Sequence, residues 1–411
     1  MREFLPGLFD GGRSACNVSA TRCPMTAYTE LRKFVAPEFI YGLDARRLVG
    51  RYARNYALRR VLLVSDPGLE RAGWLAEVEQ LLLTDGVEVR RWTSVSPNPR
   101  AHEVMEGVAV YKQEACDGIV ALGGGSVLDA AKGIGIVATN EGNILDYEGM
   151  DRVPIPMPPL ICIPTTAGSA SEVSQFAIIN RTSDKVKIAI ISKALVPDVA
   201  LIDPRPLITL PPYLTACTGV DALVHASEAF VSNAASPITD MHALGAIRLL
   251  RDHLEASVRE PENLDHRGPV MLACLHAGLA FSNASLGCVH ALAHSLGGYL
   301  DLPHGECNAL LFAPVVGYNY DAASGRYDQI GETLGWTRPD MPVGDRRADL
   351  VGRLNEFRER LGIAGNLRQR GLGQGDVPVL ASKAIHDPCN ATNPRAPTAH
   401  ELEGILQEAL G

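Results

Sequence analysis

The 411-residue chain contains no uninterrupted apolar run of about 18 residues, the length a membrane-spanning helix needs, and its N-terminus lacks the apolar core of a signal peptide. A soluble cytoplasmic protein with no membrane partner is expected. There is no long basic run, and the net charge is −9, so nucleic acid is not an expected partner; Arg46-Arg47, Arg59-Arg60 and Arg90-Arg91 read as solvated surface. The nine cysteines are scattered, odd in number and form no Cys-x-x-Cys pair, which argues against a disulfide framework and a zinc knuckle and fits a reducing compartment. One absence is local. No Lys or Arg lies between residues 268 and 325, yet His290, His294 and His304 stand there, and Asp221 and His225 occupy a similarly apolar setting upstream.

Asp221 and His225, in Asp-Ala-Leu-Val-His, are four apart, so on a helix their side chains lie on one face a turn apart and can grip one ion. His290 and His294, in His-Ala-Leu-Ala-His, repeat that spacing, and His304 follows in Leu-Pro-His-Gly-Glu, where Pro303 and Gly305 imply a turn at a helix end. Either pair alone is equally well read as chance or as hydrogen-bonded core histidine. Together, among alanines and leucines and with no cationic side chain nearby in sequence, they need a partner charge, and a metal ion is the economical one. Asp221, His225, His290 and His304 suit Fe²⁺, Zn²⁺ or another borderline first-row ion and can leave a position open for substrate oxygen, with His294 to spare. Cys288 and Cys307 are close enough in sequence to be alternative ligands, although small buried residues is the simpler account.

The length exceeds one usual domain, and the ordinary globular composition (46% hydrophobic, 21% charged) predicts two. Residues 1–24, rich in Gly, Ser and Cys, read as a flexible extension or as the product of an upstream start site. Residues 25–205 alternate apolar runs with amphipathic ones: Arg60–Asp66, a helix over 69–84, Val87–Trp92, a helix over 101–115, Gly118–Leu122, Pro158–Pro164 and Val199–Asp203. This predicts an α/β domain built on a doubly wound parallel sheet. Residues 206–411 change to a period near 3.6, over 215–232, 239–257, 267–282, 287–298 and 346–361, and predict an all-helical domain with polar loops at 262–267 and 322–345.

After Leu122 comes Gly123-Gly124-Gly125-Ser126-Val-Leu-Asp129-Ala-Ala-Lys132, a glycine turn entering a helix. Glycines let the backbone approach an anion, and the first-turn N–H groups can hold a pyrophosphate, although Ser126 and Asp129 also fit a capping box. Asp66, at the end of the first strong strand, can accept from ribose hydroxyls and repel the additional phosphate of NADP, although many aspartates merely end strands. Thr165, Thr166, Gly168 and Ser169 follow another strand at the expected crevice edge and suit cofactor recognition.

Four ordered motifs, Gly123-Gly-Gly-Ser-x-x-Asp-x-x-Lys132, Pro164-Thr-Thr-Ala-Gly-Ser169, Gly219-Val-Asp-Ala-Leu-Val-His225 and the run from His290 to Gly305, resemble the iron-containing (group III) alcohol dehydrogenases. The resemblance runs from about residue 34 to the end of the chain and includes Asn393-Pro-Arg395. It implies an N-terminal dinucleotide domain and a helical metal domain with a cleft between them, and a homodimer or larger homo-oligomer. By it, Asp221, His225, His290 and His304 match the metal ligands, and His294 a further active-site histidine that is not a ligand. Asp66, Gly124, Gly125, Ser126, Thr165 and Thr166, with Asp129, Ser169 and Lys187, match positions tied to the cofactor, and Asp66 favours NAD over NADP. Leu311-Phe-Ala-Pro-Val315 and Phe176 depart from common family patterns, and the second bears on the substrate pocket.

The expected reaction is hydride transfer between nicotinamide and a small neutral primary alcohol or aldehyde whose oxygen the metal polarises. The absence of basic residues over 268–325 is what favours a neutral substrate. His294 is either a proton relay or support for its neighbours. Phe176 and Phe281 either line the pocket or pack the core. The alternatives are a metal- and NAD-dependent lyase or cyclase resembling dehydroquinate synthase, which normally has Glu where Asp221 stands and many basic residues in its site, and an inactive metal-binding relative.

Overall fold

Short apolar runs alternating with amphipathic helices place nine strands in the first half of the chain, counted among the described residues. The computed structural model describes residues 31–337 and 340–411, so the expected extension over 1–24 lies outside the described residues. The strands are β1 (Glu38–Tyr41), β2 (Arg60–Val64), β3 (Glu88–Trp92), β4 (Gly118–Gly123), β5 (Gly149–Met150), β6 (Leu160–Pro164), β7 (Phe176–Arg181), β8 (Val186–Ile191) and β9 (Val199–Ile202). Six of them form one parallel sheet in the order β1-β9-β6-β4-β2-β3. Strands β4, β6 and β9 are buried along their whole length, which is why they read as unbroken apolar runs rather than as alternation. The chain passes from β2 outward to β3 and then returns to the other side of β2 as β4, so the strand order reverses between β2 and β4. In an open sheet such a reversal leaves a crevice beyond the C-terminal strand ends. The turns after β2 and β4, which carry Asp66 and the glycines, flank it.

Two elements differ from the sequence reading in this half. The helix expected over 69–84 is two, Pro67–Arg71 and Trp74–Thr84, because Gly73 between them has a left-handed φ of 86°. A second sheet, β5-β8-β7, contains an antiparallel hairpin of β7 and β8 that was not expected. Its signal was present: Phe176-Ala-Ile-Ile and Val186-Lys-Ile-Ala-Ile-Ile flank a polar turn that ends at Lys185, with a φ of 54°.

From Pro212 onward the chain is helical, with long helices at Pro212–Val231, Pro237–Arg259, Leu264–Ala284, Cys288–Leu300 and His304–Asn319. The loop expected over 262–267 already contains the first turn of a helix, capped by Asn263, whose side chain accepts from Asp265 N. Part of the loop expected over 322–345 is the helix Ser324–Thr333. The turn expected at Leu-Pro-His is present over 301–303, between the end of Cys288–Leu300 and the start of His304–Asn319; Pro303 is the N-cap of the latter, a helix that tolerates Pro314 in its interior. No single helix among the described residues is long and apolar enough to cross a membrane; the apolar Leu264–Ala284 and Cys288–Leu300 meet at 102°. Residues 33–411 form one compact unit, and one hydrophobic core joins Ala170, Val173 and Ile202 from the sheet side to Val224, Phe281 and Leu292 of the helices.

Candidate functional site

Three helices bring four side chains to one point. Asp221 and His225 lie a turn apart on Pro212–Val231, His290 is on Cys288–Leu300, and His304 opens His304–Asn319. The Nε2 atoms of His225, His290 and His304 lie 3.9, 3.8 and 3.9 Å from Asp221 Oδ1. One ligand atom from each of the four lies within 4.8 Å of all the others. Gly305 makes this approach possible, because a Cβ there would stand 2.3 Å from the Cys217 carbonyl oxygen and push the His304 helix away.

The far nitrogens of two rings are held. His225 Nδ1 donates to Gly168 O at 3.1 Å, and His290 Nδ1 meets Glu228 Oε2 at 2.6 Å. Glu228 is itself fixed by Val289 N, which donates to Oε1 at 2.7 Å. This leaves Nε2 of each ring facing the convergence point, the arrangement by which outer partners orient metal-binding histidines. Burial, with His225 adding to it, holds His290 well below the usual histidine range, and burial together with Lys187 does the same for His304. Both rings therefore present neutral nitrogens, the form that binds metal. Burial pushes Glu228 up to about 7 against the pull of the Val289 and Gly287 N–H groups. Sequence reasoning missed Glu228, although it lies three residues after His225 on a helix buried almost throughout.

His294 stands apart from the four. Its ring stacks on His304 at 5.4 Å, but Nδ1 meets Asp387 Oδ2 at 2.8 Å, which leaves Nε2 as its free nitrogen. Burial pushes the Asp387 carboxyl up, and the charge and hydrogen bond of His294 outweigh it, so the carboxyl lies below its usual value. On the other side, the ring of Phe281 stacks on His225 at 4.3 Å, and Phe176 packs against Phe281 at 5.8 Å. Both phenylalanines are buried and both line the cleft, so packing and lining are one role here.

The four side chains and His294 sit at one end of a cleft of about 1340 Å³ that runs along the sheet edge to Asp66. That exceeds the 300–1,000 Å³ typical of small-ligand pockets. The glycine turn forms part of its wall. Gly124 is the N-cap of helix Gly125–Thr139 with no side-chain cap, so the capping box considered for Ser126 and Asp129 does not form. Ser126 Oγ instead accepts from Asn98 N at 3.2 Å. A Cβ on Gly124 would stand 2.9 Å from Thr166 Cγ2, and one on Gly125 would stand 2.7 Å from Ser169 Cβ, so the two loops interlock only because these residues are glycines. Thr165 N donates to Gly123 O at 3.0 Å and ties the loops together.

Asp66 accepts from Gly68 N at 2.7 Å and from Leu69 N at 3.1 Å, both through Oδ1, so it caps a short helix while lining the cleft. Asp129 has both oxygens engaged, Oδ1 by Ser171 Oγ at 2.6 Å and Oδ2 by Ile178 N at 3.1 Å, so it braces the cleft wall. Lys187 enters from β8 and donates to Asn98 Oδ1 at 2.6 Å; burial pulls its amine below the usual lysine range. Lys187 and Arg100 thus bring cations into a cleft whose ligand-bearing sequence has none. Two asparagines went unnoticed in the sequence: Asn98, and Asn180, whose buried Oδ1 lines the cleft without a partner. An orphaned acceptor, uncapped helical N–H groups and a glycine cradle fit a dinucleotide, and one carboxylate with three neutral imidazoles fits a divalent cation.

The iron-containing alcohol dehydrogenase family model matches residues 36–204, and the model of the C-terminal part of the Fe-containing alcohol dehydrogenase family matches residues 215–410. The chain belongs to the iron-containing alcohol dehydrogenase family. Among the relatives in this family, alcohol dehydrogenase 4 of Schizosaccharomyces pombe is 38% identical over 416 residues, covering 99% of this chain and 96% of the relative. The 1,3-propanediol dehydrogenase of Klebsiella pneumoniae is 38% identical over 372 residues, covering 90% of this chain and 96% of its own. The NAD-dependent methanol dehydrogenase of Bacillus methanolicus is 35% identical and covers 92% and 99%. The crystal structure of a 1,3-propanediol oxidoreductase superposes with a TM-score of 0.89 at 38% identity, covering 92% of this chain and all (100%) of that one. These relatives support the dehydrogenase reading, and neither the lyase nor the inactive relative is favoured.

Proposed function

We propose that this iron-containing alcohol dehydrogenase transfers hydride between NAD and a small, neutral primary alcohol or its aldehyde. The observation that carries this reading is the convergence of Asp221, His225, His290 and His304 within 4.8 Å at one end of a single cleft whose other end holds Asp66 and the glycine turn. The four side chains would hold Fe²⁺, with Zn²⁺ as the alternative. When bound, the cation supplies a Lewis acid for the substrate oxygen and the nicotinamide supplies the hydride acceptor or donor.

The protein's part is binding, orientation and exclusion of water. The uncapped N–H groups of helix Gly125–Thr139, with Gly124, Gly125 and Ser126, would hold the pyrophosphate, and Thr165, Thr166 and Ser169 line the same cleft. Asp66 receives the adenine-side ribose and selects NAD over NADP. Asn98 fixes the Lys187 amine in the cleft wall, where it would lie beside the cofactor. Phe176, Phe281 and Leu286 form the apolar wall at the metal end, which suits an uncharged carbon chain. His294, whose Nδ1–H donates to Asp387, would accept the alcohol's proton at its unprotonated Nε2 and release it to solvent as the alcohol is oxidised.

A homodimer or larger homo-oligomer in the cytoplasm is the assembly and location proposed. Strand β1 at the sheet edge, with Phe39 and Tyr41 each more than a third exposed, supports the first, and the seven cysteines among the described residues, all buried and free, support the second. The test is anaerobic purification with metal analysis, followed by an NAD-linked screen of short primary alcohols, diols and aldehydes. Stoichiometric NADH formation with a simple alcohol is expected. Cofactor recycling with no net NADH would contradict the proposal.

A further inference from the structure

We propose that Asn308 is a positioning residue for the metal-ligand set: its amide donates to Asp221 and fixes the direction of that carboxylate between His290 and His304, and so sets how tightly the site keeps its cation. The inference rests on the ligand assignment proposed above.

Asn308 lies one turn beyond His304 on the same helix and is completely buried (0% exposed). Its Nδ2 donates to Asp221 Oδ1 at 2.6 Å and stands 3.1 Å from His290 Nε2 and 3.2 Å from His304 Nε2. One amide group is therefore within hydrogen-bond reach of three of the four ligand atoms. The other holders act singly: Gly168 O reaches His225 alone, and Glu228 reaches His290. Asp221 has neither of those anchors. The three histidine nitrogens around it are 3.8–3.9 Å away, too far for hydrogen bonds, so its carboxylate depends on Asn308 for its orientation.

The rest of the Asn308 side chain argues against packing as its purpose. Its Oδ1 is buried with no partner, while its neighbours on the helix, Cys307, Ala309 and Leu310, are apolar and buried. An apolar residue of similar shape would avoid that unmet acceptor. The polar content of Asn308 is directed at the ligand atoms. A charge-assisted bond to one carboxylate oxygen restrains rotation of the carboxylate and limits how it can present both oxygens to an ion.

Asn308→Leu removes the donor at nearly constant volume, and Asn308→Ser keeps a shorter one. Ion release from the loaded protein to a chelator, followed anaerobically, is expected to be about tenfold to a hundredfold faster in Asn308→Leu, the scale on which outer partners of metal ligands act. Asn308→Ser should release more slowly than Asn308→Leu. The visible spectrum of the Co²⁺-loaded protein should shift in Asn308→Leu, while the dissociation constant for NAD stays unchanged. Wild-type release rates and an unaltered Co²⁺ spectrum in Asn308→Leu would overturn the proposal. Should Asn308→Leu fail to fold, Asn308→Ser is compared with Asn308→Ala, and equal release rates would overturn it. The ligand assignment has its own check: if His290→Ala and Asp221→Ala retain a full complement of metal, that assignment fails and the role of Asn308 falls with it.

Discussion

The two ends of the cleft are built on different principles. At the metal end every donor atom is carried by a helix: Asp221 and His225 share one, His290 and His304 occupy two more, and Gly168 O, Glu228 and Asn308 hold them from outside. At the cofactor end the recognising groups stand in turns that follow β2, β4 and β6, and much of the recognition falls to backbone N–H groups of Gly124–Ser126. A metal site needs a few atoms held to fractions of an ångström, which buried helices supply. A dinucleotide is long, so many moderate contacts spread along loops suffice.

This difference can be broken at either end. The largest effect is expected from His290→Ala or Asp221→Ala, which should abolish metal retention and lower turnover by roughly a thousandfold or more, since a Lewis acid is worth several kcal/mol at the transition state. NAD binding, followed by fluorescence titration, should persist, and its loss would mean that the ends are not separable. Glu228→Gln keeps shape but weakens the hold on His290 Nδ1, and metal affinity should fall by about tenfold to a hundredfold, as measured by competition with a chelator. At the other end, Asp66→Ser should raise the KM for NAD by roughly tenfold and improve use of NADP, with metal content unchanged. Separate steady-state titrations with the two cofactors would check this.

The smallest effect lies outside the cleft. His242 and His276 meet at 2.9 Å between Nδ1 atoms, and burial holds both below the usual histidine range, with His276 adding to the effect at His242. A histidine with a lowered folded-state pKa binds fewer protons folded than unfolded, so stability falls as pH drops below the unfolded value of about 6.5 and levels off below the folded value. His276→Asn should flatten that acid limb of the thermal midpoint without altering turnover at neutral pH.

Much of this was legible in the residues because the signals were local. A buried strand running into three glycines, a change of period near residue 205, and histidines four apart in apolar surroundings each announce themselves within a dozen positions. What could not be read depends on long-range packing. Glu228 and Asn308 carry no motif of their own on their helices, and only the packing of three helices shows that each faces a ligand atom. Asn180 is likewise unremarkable until β7 delivers it to the cleft. Lys187 shows how an argument from sequence distance fails, because the hairpin of β7 and β8 carries a cation beside a segment that has none. The turn read at Leu-Pro-His closes one helix as expected, but that His304 opens the next one, with Pro303 as its N-cap, was not legible.

The central claim is that one cation is held jointly by Asp221, His225, His290 and His304 next to the cofactor end of the cleft. Diffraction at the iron absorption edge, from crystals grown anaerobically with Fe²⁺ and NAD, tests it most directly. A single anomalous peak within bonding distance of all four side chains is predicted. A peak elsewhere, or none from protein shown by metal analysis to contain iron, would contradict it.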